Sequence, residues 1–381
     1  MSKFWRQALG AAGLGSLLAM TGCAGFFSDP NTTGTTGSTG SNTGDYVYVV
    51  NQTSDTLTGF NLGSGALTAV TGSPFALLSG LTPSSVEVSR ANTYVYVGGA
   101  GAIECFSIGT AGALTLVNSS AATSTAKYVA LATSPDGKWL LALDGLTETL
   151  YTYGINTSTG ALSLNNTAPY TSGGSGTAVP SAVRVTPNGE YVIAALGTGG
   201  DVVFTFNTTT GVPTQAATLA VASGFTDNSV TIDANSAYVY LARGGTNAGT
   251  SGVASYSLGS GGSLTAVQTL ATSGNAPFSV VLDSTGDYAY TANRADGTVS
   301  GYSVSGGSLT QSAASPYLSG TLVTALARDN SDKYLVAAAF GGASDVTLYA
   351  LDALTPGKLD AVAASASGTD PAGSIAIAAT H

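Results

Sequence analysis

The sequence predicts an all-β, seven-bladed β-propeller built from four-stranded antiparallel blades. Three observations carry this. An aromatic residue opening a short β-rich run recurs as Tyr46, Tyr94, Trp139, Tyr191, Tyr238, Tyr288 and Tyr334, 45–52 residues apart. A second aromatic follows in the next run, at Phe60, Phe106, Tyr153, Phe206, Tyr256, Tyr302 and Tyr349. A Gly-x-Leu marker then opens a fourth run at Leu67, Leu114, Leu162, Leu264, Leu309 and Leu359, with Pro213 replacing Leu once. Three markers repeating in one order, with turn residues between β-branched and aromatic runs, are the signature of four strands per propeller blade.

Phe278–Thr310 displays the unit in full. Ser279–Leu282 is a first strand, Asp283–Gly286 a tight turn and Tyr288–Thr291 the second strand. Asn293–Gly297 connects to a third strand at Val299–Val304, and a Gly-rich turn leads to Ser308–Thr310. Equivalent first strands are read at Ser85–Val88, Tyr128–Ala132, Ala182–Val185, Ser229–Ile232 and Ala325–Ala327. The unit at Tyr46 lacks one. Ser374–Ile377 is an orphan copy, so this strand is expected to complete the first blade and remove an open sheet edge.

The chain begins differently. Lys3 and Arg6 precede the apolar run Ala8–Met20, which is too short to span a bilayer comfortably. Met20-Thr21-Gly22-Cys23 resembles a lipobox, which implies residues 1–22 as a lipoprotein signal peptide and Cys23 as the lipidation site. Residues 23–44 read as a flexible tether, because Asn31–Gly44 is wholly Thr, Gly, Ser and Asn. Residues 45–381 form the propeller. The expected location is therefore the bacterial cell envelope, at the outer membrane or cell surface, with membrane contact through the lipid anchor alone.

Composition narrows the partners. Only 8% of residues are charged, the net charge is −10, and no basic patch is evident, which argues against nucleic acid. Cys105 is the only Cys besides Cys23 and is read as a buried thiol. Asp329–Asp332 and Asp283–Asp287 look like calcium loops, but they fall on the repeating turn and lack EF-hand spacing. No phosphate loop, zinc spacing or nucleophile elbow is found, so no cofactor and no metal are expected. The protein is expected to be a monomer.

Tyr46-Val47-Tyr48-Val49-Val50-Asn51 and Tyr288-Ala289-Tyr290-Thr291-Ala292-Asn293, each followed by a strand and Gly-x-Leu, resemble the seven-bladed lactonase-type propellers, which include the cytosolic 6-phosphogluconolactonases. The Pro135-Asp136-Gly137 and Pro187-Asn188-Gly189 turns are similar to those of YVTN-repeat surface proteins. The resemblance implies lactone hydrolysis by His, Glu and Arg around the central channel. Asn293-Arg294 matches the family's Asn-Arg element, so Arg294 carries over. The remainder departs: the single His is His381, and Ala242-Arg243 stands where the family shows Asn-Glu. Fold does not fix activity.

Candidate site residues follow from topology. The second-to-third and fourth-to-first connections share one face of the ring and vary in length, which suits binding. That face offers Asn51, Asp144, Glu148, Asp201, Arg243, Asn293, Arg294, Asp296 and Asp345. Arg243 and Arg294 either pair with Asp201 or Asp296, or hold an anionic ligand such as a carboxylate or sugar acid. Glu87 and Arg184 take equivalent first-strand positions facing the channel and are read as a structural pair across it, with a catalytic or ligand-binding role as the alternative. Two functions remain: a module binding a small anion, glycan or protein, and an extracytoplasmic lactone hydrolase with an atypical site. A purely structural surface coat is a third reading.

Overall fold

The computed structural model describes residues 44–121, 125–174, 176–341, 344–368 and 376–381. The signal sequence, Cys23 and nearly all of the tether lie outside these residues, as do Ser374 and Ile375 of the predicted closing strand. Among the described residues no helix is long and apolar enough to cross a membrane.

Seven antiparallel sheets form the body, and each is one blade. Blade 1 orders its strands Thr68–Ala69, Thr56–Asn61, Tyr46–Asn51 and Ile377–Ala379 from rim to centre. The C-terminal strand closes the ring through the register Val47↔Ala379, Tyr48↔Ala378 and Val49↔Ile377. The predicted closure holds, with the strand lying later in the chain than Ser374–Ile377. Blades 2 to 7 follow in sequence order, and their innermost strands begin at Ser85, Tyr128, Ala182, Thr226, Pro277 and Val323.

One local device recurs in every blade and accounts for the first marker. The residue that follows each first strand is Ser, Thr or Asp, and its side chain accepts the backbone N–H of the aromatic opening the second strand. The pairs are Ser89–Tyr94 at 2.9 Å, Ser134–Trp139 at 3.0 Å, Thr186–Tyr191 at 3.0 Å, Asp233–Tyr238 at 2.6 Å, Asp283–Tyr288 at 2.9 Å and Asp329–Tyr334 at 2.8 Å. The seventh joins the chain ends, Tyr46 N–H donating to Thr380 Oγ1 at 3.0 Å. The calcium-like Asp clusters are thus turn locks, as short polar side chains at turns do.

A second device links neighbouring blades. The Gly of each Gly-x-Leu marker has positive φ, from 67° at Gly211 to 82° at Gly307 and Gly357. In most blades the opening aromatic of the preceding blade lies flat against it. A Cβ on Gly112 would sit 2.4 Å from Tyr46, and one on Gly211 2.5 Å from Trp139. Both the backbone conformation and the close approach require Gly. Gly211 keeps this role where Pro213 replaces Leu.

The hydrophobic core is accordingly divided into layers between blades. Tyr46, Tyr48 and Val50 pack toward Val86, Val95 and Phe106 of blade 2. Val47 and Val49, alternating on the same strand, pack toward Val336 and Leu348 of blade 7. This is the period-two alternation of a strand buried on both faces. One marker is corrected: the third-strand aromatic of blade 4 is Phe204, which pairs with Val192 as Phe106 pairs with Val95, and not Phe206. A register shift between Val203 and Phe204 accompanies it.

Thr380→Val would orphan the buried Tyr46 N–H at the closure. Loss of one buried hydrogen bond costs about 1–3 kcal/mol, so the melting temperature is expected to fall by several degrees. Thermal unfolding followed by circular dichroism checks this, and an unchanged melting point would show that the closure tolerates the loss.

Candidate functional site

The second-to-third connections open on one face of the ring, as predicted, and several candidate side chains there serve the loops themselves. Asn51 is buried and donates to Thr56 Oγ1 at 3.1 Å and Thr58 Oγ1 at 2.9 Å. Asn293 repeats this with Thr298 at 3.1 Å and Ser300 at 2.9 Å. Asp144, also buried, accepts the backbone N–H of Lys127 at 2.8 Å and of Leu146 at 3.1 Å. Asp345 holds Ser367 N–H at 2.6 Å. Asp296 accepts from Asn275 N–H at 2.7 Å and Asn275 Nδ2 at 3.1 Å.

Arg243 ends the second strand of blade 5, in the register that Asn51 and Asn293 occupy in their blades. Its fork binds a residue absent from the sequence-based candidates: Nε donates to Asp227 Oδ1 at 2.7 Å and Nη2 to Oδ2 at 2.6 Å. Nη1 donates to Tyr256 Oη at 3.0 Å. Arg243 therefore pairs with Asp227, and neither Asp201 nor Asp296 is its bidentate partner. Asp227 lies at the start of a first strand and is read from sequence as part of a loop. Its only signal is its cross-strand register with Arg243.

Asp201 completes this cluster from blade 4. It is fully buried, its carboxyl meets that of Asp227, and neither oxygen has another partner among the described residues. Burial first, and the Asp227 charge second, raise its pKa well above the usual carboxylate value. The Arg243 guanidinium offsets part of that rise. Burial opposes the charge on Arg243, but the bonds to Asp227 outweigh it and hold its pKa above the usual value. The cluster is sealed from solvent and ties blade 4 to blade 5, where Gly197 and Asp227 also exchange backbone hydrogen bonds.

Arg294 differs. It follows Asn293 in blade 6 and is partly exposed, with its guanidinium over the Phe278 ring at 5.5 Å from the centroid. Its Nε is buried and has no hydrogen-bond partner among the described residues. The nearest acid in sequence, Asp296, is committed to Asn275. A cation on an aromatic face, with an unused donor, is suited to an incoming anion.

Glu87 and Arg184 lie on the innermost strands. Thr133 donates to Glu87 Oε1 from both its N–H and its hydroxyl, each at 2.9 Å. Arg184 Nη1 donates to Val183 O at 2.9 Å. They do not form a contact ion pair, contrary to the expected structural pair, and interact only through space. Cys105 is buried, as expected, and burial pushes its thiol up to about 12, which leaves it unreactive. No group of three or more His, Cys, Asp or Glu placed to bind a metal occurs among the described residues.

The family described as Lactonase, 7-bladed beta-propeller matches residues 76–244 and 240–374. No curated protein matches the chain. Among solved structures, a candidate 6-phosphogluconolactonase of Bacteroides fragilis superposes with a TM-score of 0.70 at 20% identity, covering 91% of this chain and all of its own. The periplasmic gluconolactonase of Pseudomonas aeruginosa gives 0.68 at 16% identity, covering 88% and 99%. At such identities these neighbours speak to the fold.

The acid pair makes stability depend on pH. Folded Asp201 keeps its proton above the pH at which an unfolded Asp, with a pKa of about 3.9, loses it. The folded state then binds more protons, so stability falls as pH rises from there through the raised pKa. Asp201→Asn is expected to flatten that slope and to raise the melting temperature most at alkaline pH. Melting curves across the pH range check it, and parallel profiles for the two proteins would exclude a raised Asp201 pKa.

Proposed function

The chain belongs to the seven-bladed lactonase propellers, and on that premise we propose that it is an exported, lipid-anchored member whose variable-loop face binds a small organic anion of the sugar-acid class. The observation that carries this reading is Arg294. Its guanidinium rests on Phe278 with a buried, unused Nε, while Arg243, the other arginine on this face, is saturated by Asp227 and Tyr256. The lipid anchor rests on Met20–Cys23 and the apolar run before it.

Lactone hydrolysis is the second reading, favoured by family membership and by the periplasmic gluconolactonase among the structural neighbours. Ring opening needs a base to activate water and a donor for the oxyanion. Arg294 suits the oxyanion. The base is the difficulty: Asp201 and Asp227 are shut off from solvent, and the only His lies at the other end of the molecule's chain order, on the opposite face. Binding is therefore placed ahead of turnover.

Incubating the full chain with a panel of lactones and aldonic acids, while following both hydrolysis and thermal shift, separates the readings. A sugar acid is expected to raise the melting temperature, and Arg294→Gln to abolish that shift while leaving the unliganded melting point nearly unchanged. Turnover that disappears in Arg294→Gln would make the protein a hydrolase. Neither shift nor turnover would overturn the small-anion reading.

Cys23→Ser is expected to move the protein from the membrane fraction to the soluble fraction on cell fractionation. Unaltered membrane retention would overturn the lipid anchor.

A further inference from the structure

The opposite end of the channel carries charge that the variable face does not use. The first strands run toward the short first-to-second turns, and each packs against the first strands of its neighbours to ring the channel. One position on this ring, two residues before the turn lock, is Ala378, Glu87, Ala132, Arg184, Thr231, Val281 and Ala327 in blades 1 to 7. Five are small or apolar, so Glu87 and Arg184 project alone from this layer. Nearer the turns, Arg328 ends the first strand of blade 7. His381 follows the lock residue Thr380 of blade 1, and Arg90 follows the lock residue Ser89 of blade 2. Three consecutive blades thus place a basic or imidazole side chain at one rim of the channel. Asn92 Oδ1 accepts His381 N–H at 3.0 Å and fixes the junction.

These groups are wet and yet enclosed. Arg184 and His381 are exposed and Glu87 is half-buried. Burial nevertheless raises the Glu87 pKa, and burial together with Arg90 and Arg328 pushes the His381 imidazole down to about 4. A side chain reachable by water but surrounded by protein is one that lines a narrow channel. Several charges there answer one another. Asp332 pairs with Arg328, Asp283 and Asp329 act on Arg328, and Glu87 feels both Arg184 and Arg90. Arg184 spends Nη1 on Val183 O, and no protein partner takes its Nε or Nη2 among the described residues. Glu87 spends Oε1 on Thr133.

We propose that this short-turn mouth of the channel is a second site, which takes a small hydroxylated oxyanion. Arg184 binds the oxyanion through Nε and Nη2, in the forked geometry a guanidinium offers. The hydroxyl donates to Glu87 Oε2, and Arg90 and Arg328 at the rim add positive charge beside the opening, with His381 as a neutral neighbour. In a chain with net charge −10 and only 11 Lys and Arg, three arginines at one opening concentrate positive charge there, set against Glu87, Asp283, Asp329 and Asp332. The small side chains at the five other ring positions leave room for the ligand.

The single histidine provides the readout, because its C2 proton gives one resonance in the full chain. That resonance is followed at neutral pH and constant ionic strength while inorganic phosphate, glycolate or acetate is added. Phosphate or glycolate is expected to shift it saturably, and acetate, which lacks the hydroxyl, to bind roughly 5–10-fold more weakly, the value of about one hydrogen bond. Preference for phosphate or for glycolate assigns the ligand to the phosphate or the hydroxycarboxylate class. Arg184→Gln is expected to weaken binding at least tenfold and Arg184→Lys less, while Arg294→Gln leaves it unchanged, which separates this site from the one on the variable face. No saturable shift, or equal affinity in wild type and Arg184→Gln, would overturn the proposal.

Discussion

The hydrogen bond between the residue just after each first strand and the aromatic opening the second is the constraint on which the remaining structure depends. It is accompanied in every blade by a backbone bond in return, as from Ser89 N–H to Tyr94 O at 2.8 Å and from Thr380 N–H to Tyr46 O at 2.9 Å. The pair fixes where the second strand starts, and so fixes its register. Register decides which face each residue of the opening strand presents, since a slip of one would exchange the two inter-blade layers. Once the aromatic is placed, it can lie on the positive-φ Gly of the next blade. Each blade thereby positions its successor, and Tyr334 approaching Gly65 carries the series from blade 7 back to blade 1.

This arrangement explains why so few charges enter the body and what those few do. The inter-blade layers are dry, so an ionisable group between blades needs a partner. Arg243, Asp227 and Asp201 satisfy that requirement together at the junction of blades 4 and 5, with the Asp201 pKa raised as the consequence. Glu104 is a smaller case, buried in blade 2 and accepting Leu78 N–H at 3.0 Å from the outer connection of blade 1. Arg294 and Arg184 lie instead where the layers end, on the variable face and in the channel. There a guanidinium keeps donors that no group among the described residues takes.

The fold was legible in the sequence because its determinants are local and repeated. The opening aromatic, the Ser, Thr or Asp five residues before it and the Gly of the following turn act within one blade or the next, so periodicity exposes them. Phe206 shows the limit. The third strand of blade 4 carries two aromatics two residues apart, Phe204 and Phe206, and with loops of varying length only the cross-strand register, Val192 opposite Phe204, chooses between them. The candidate site was legible only in part. Arg243 and Arg294 stood out by rarity, yet their opposite fates depend on Asp227 and Phe278, which precede them by 16 residues each and meet them only through cross-strand register. The Glu87–Arg184 relation was read as a pair because both occupy one ring position, but they stand on blades 2 and 4 with blade 3 between them, and ring geometry keeps them apart.

The separation has a consequence for how such a scaffold acquires function. A repeat that fixes its own geometry leaves the ring positions and the long connections free to differ from blade to blade. At the ring level five residues are small or apolar, and the two that depart from this are a carboxylate and a guanidinium that form no contact ion pair. On the variable face, Asn293 and Asn51 make the same loop lock, while the residue after Asn293 is a cation and the residue after Asn51 is Gln52, which donates to Pro83 O at 3.2 Å. The same frame therefore supports a locked loop in blade 1 and an unsaturated cation in blade 6. Chemistry in this molecule resides in the departures from its repeat, because every position that obeys the repeat is already occupied in holding one blade to the next.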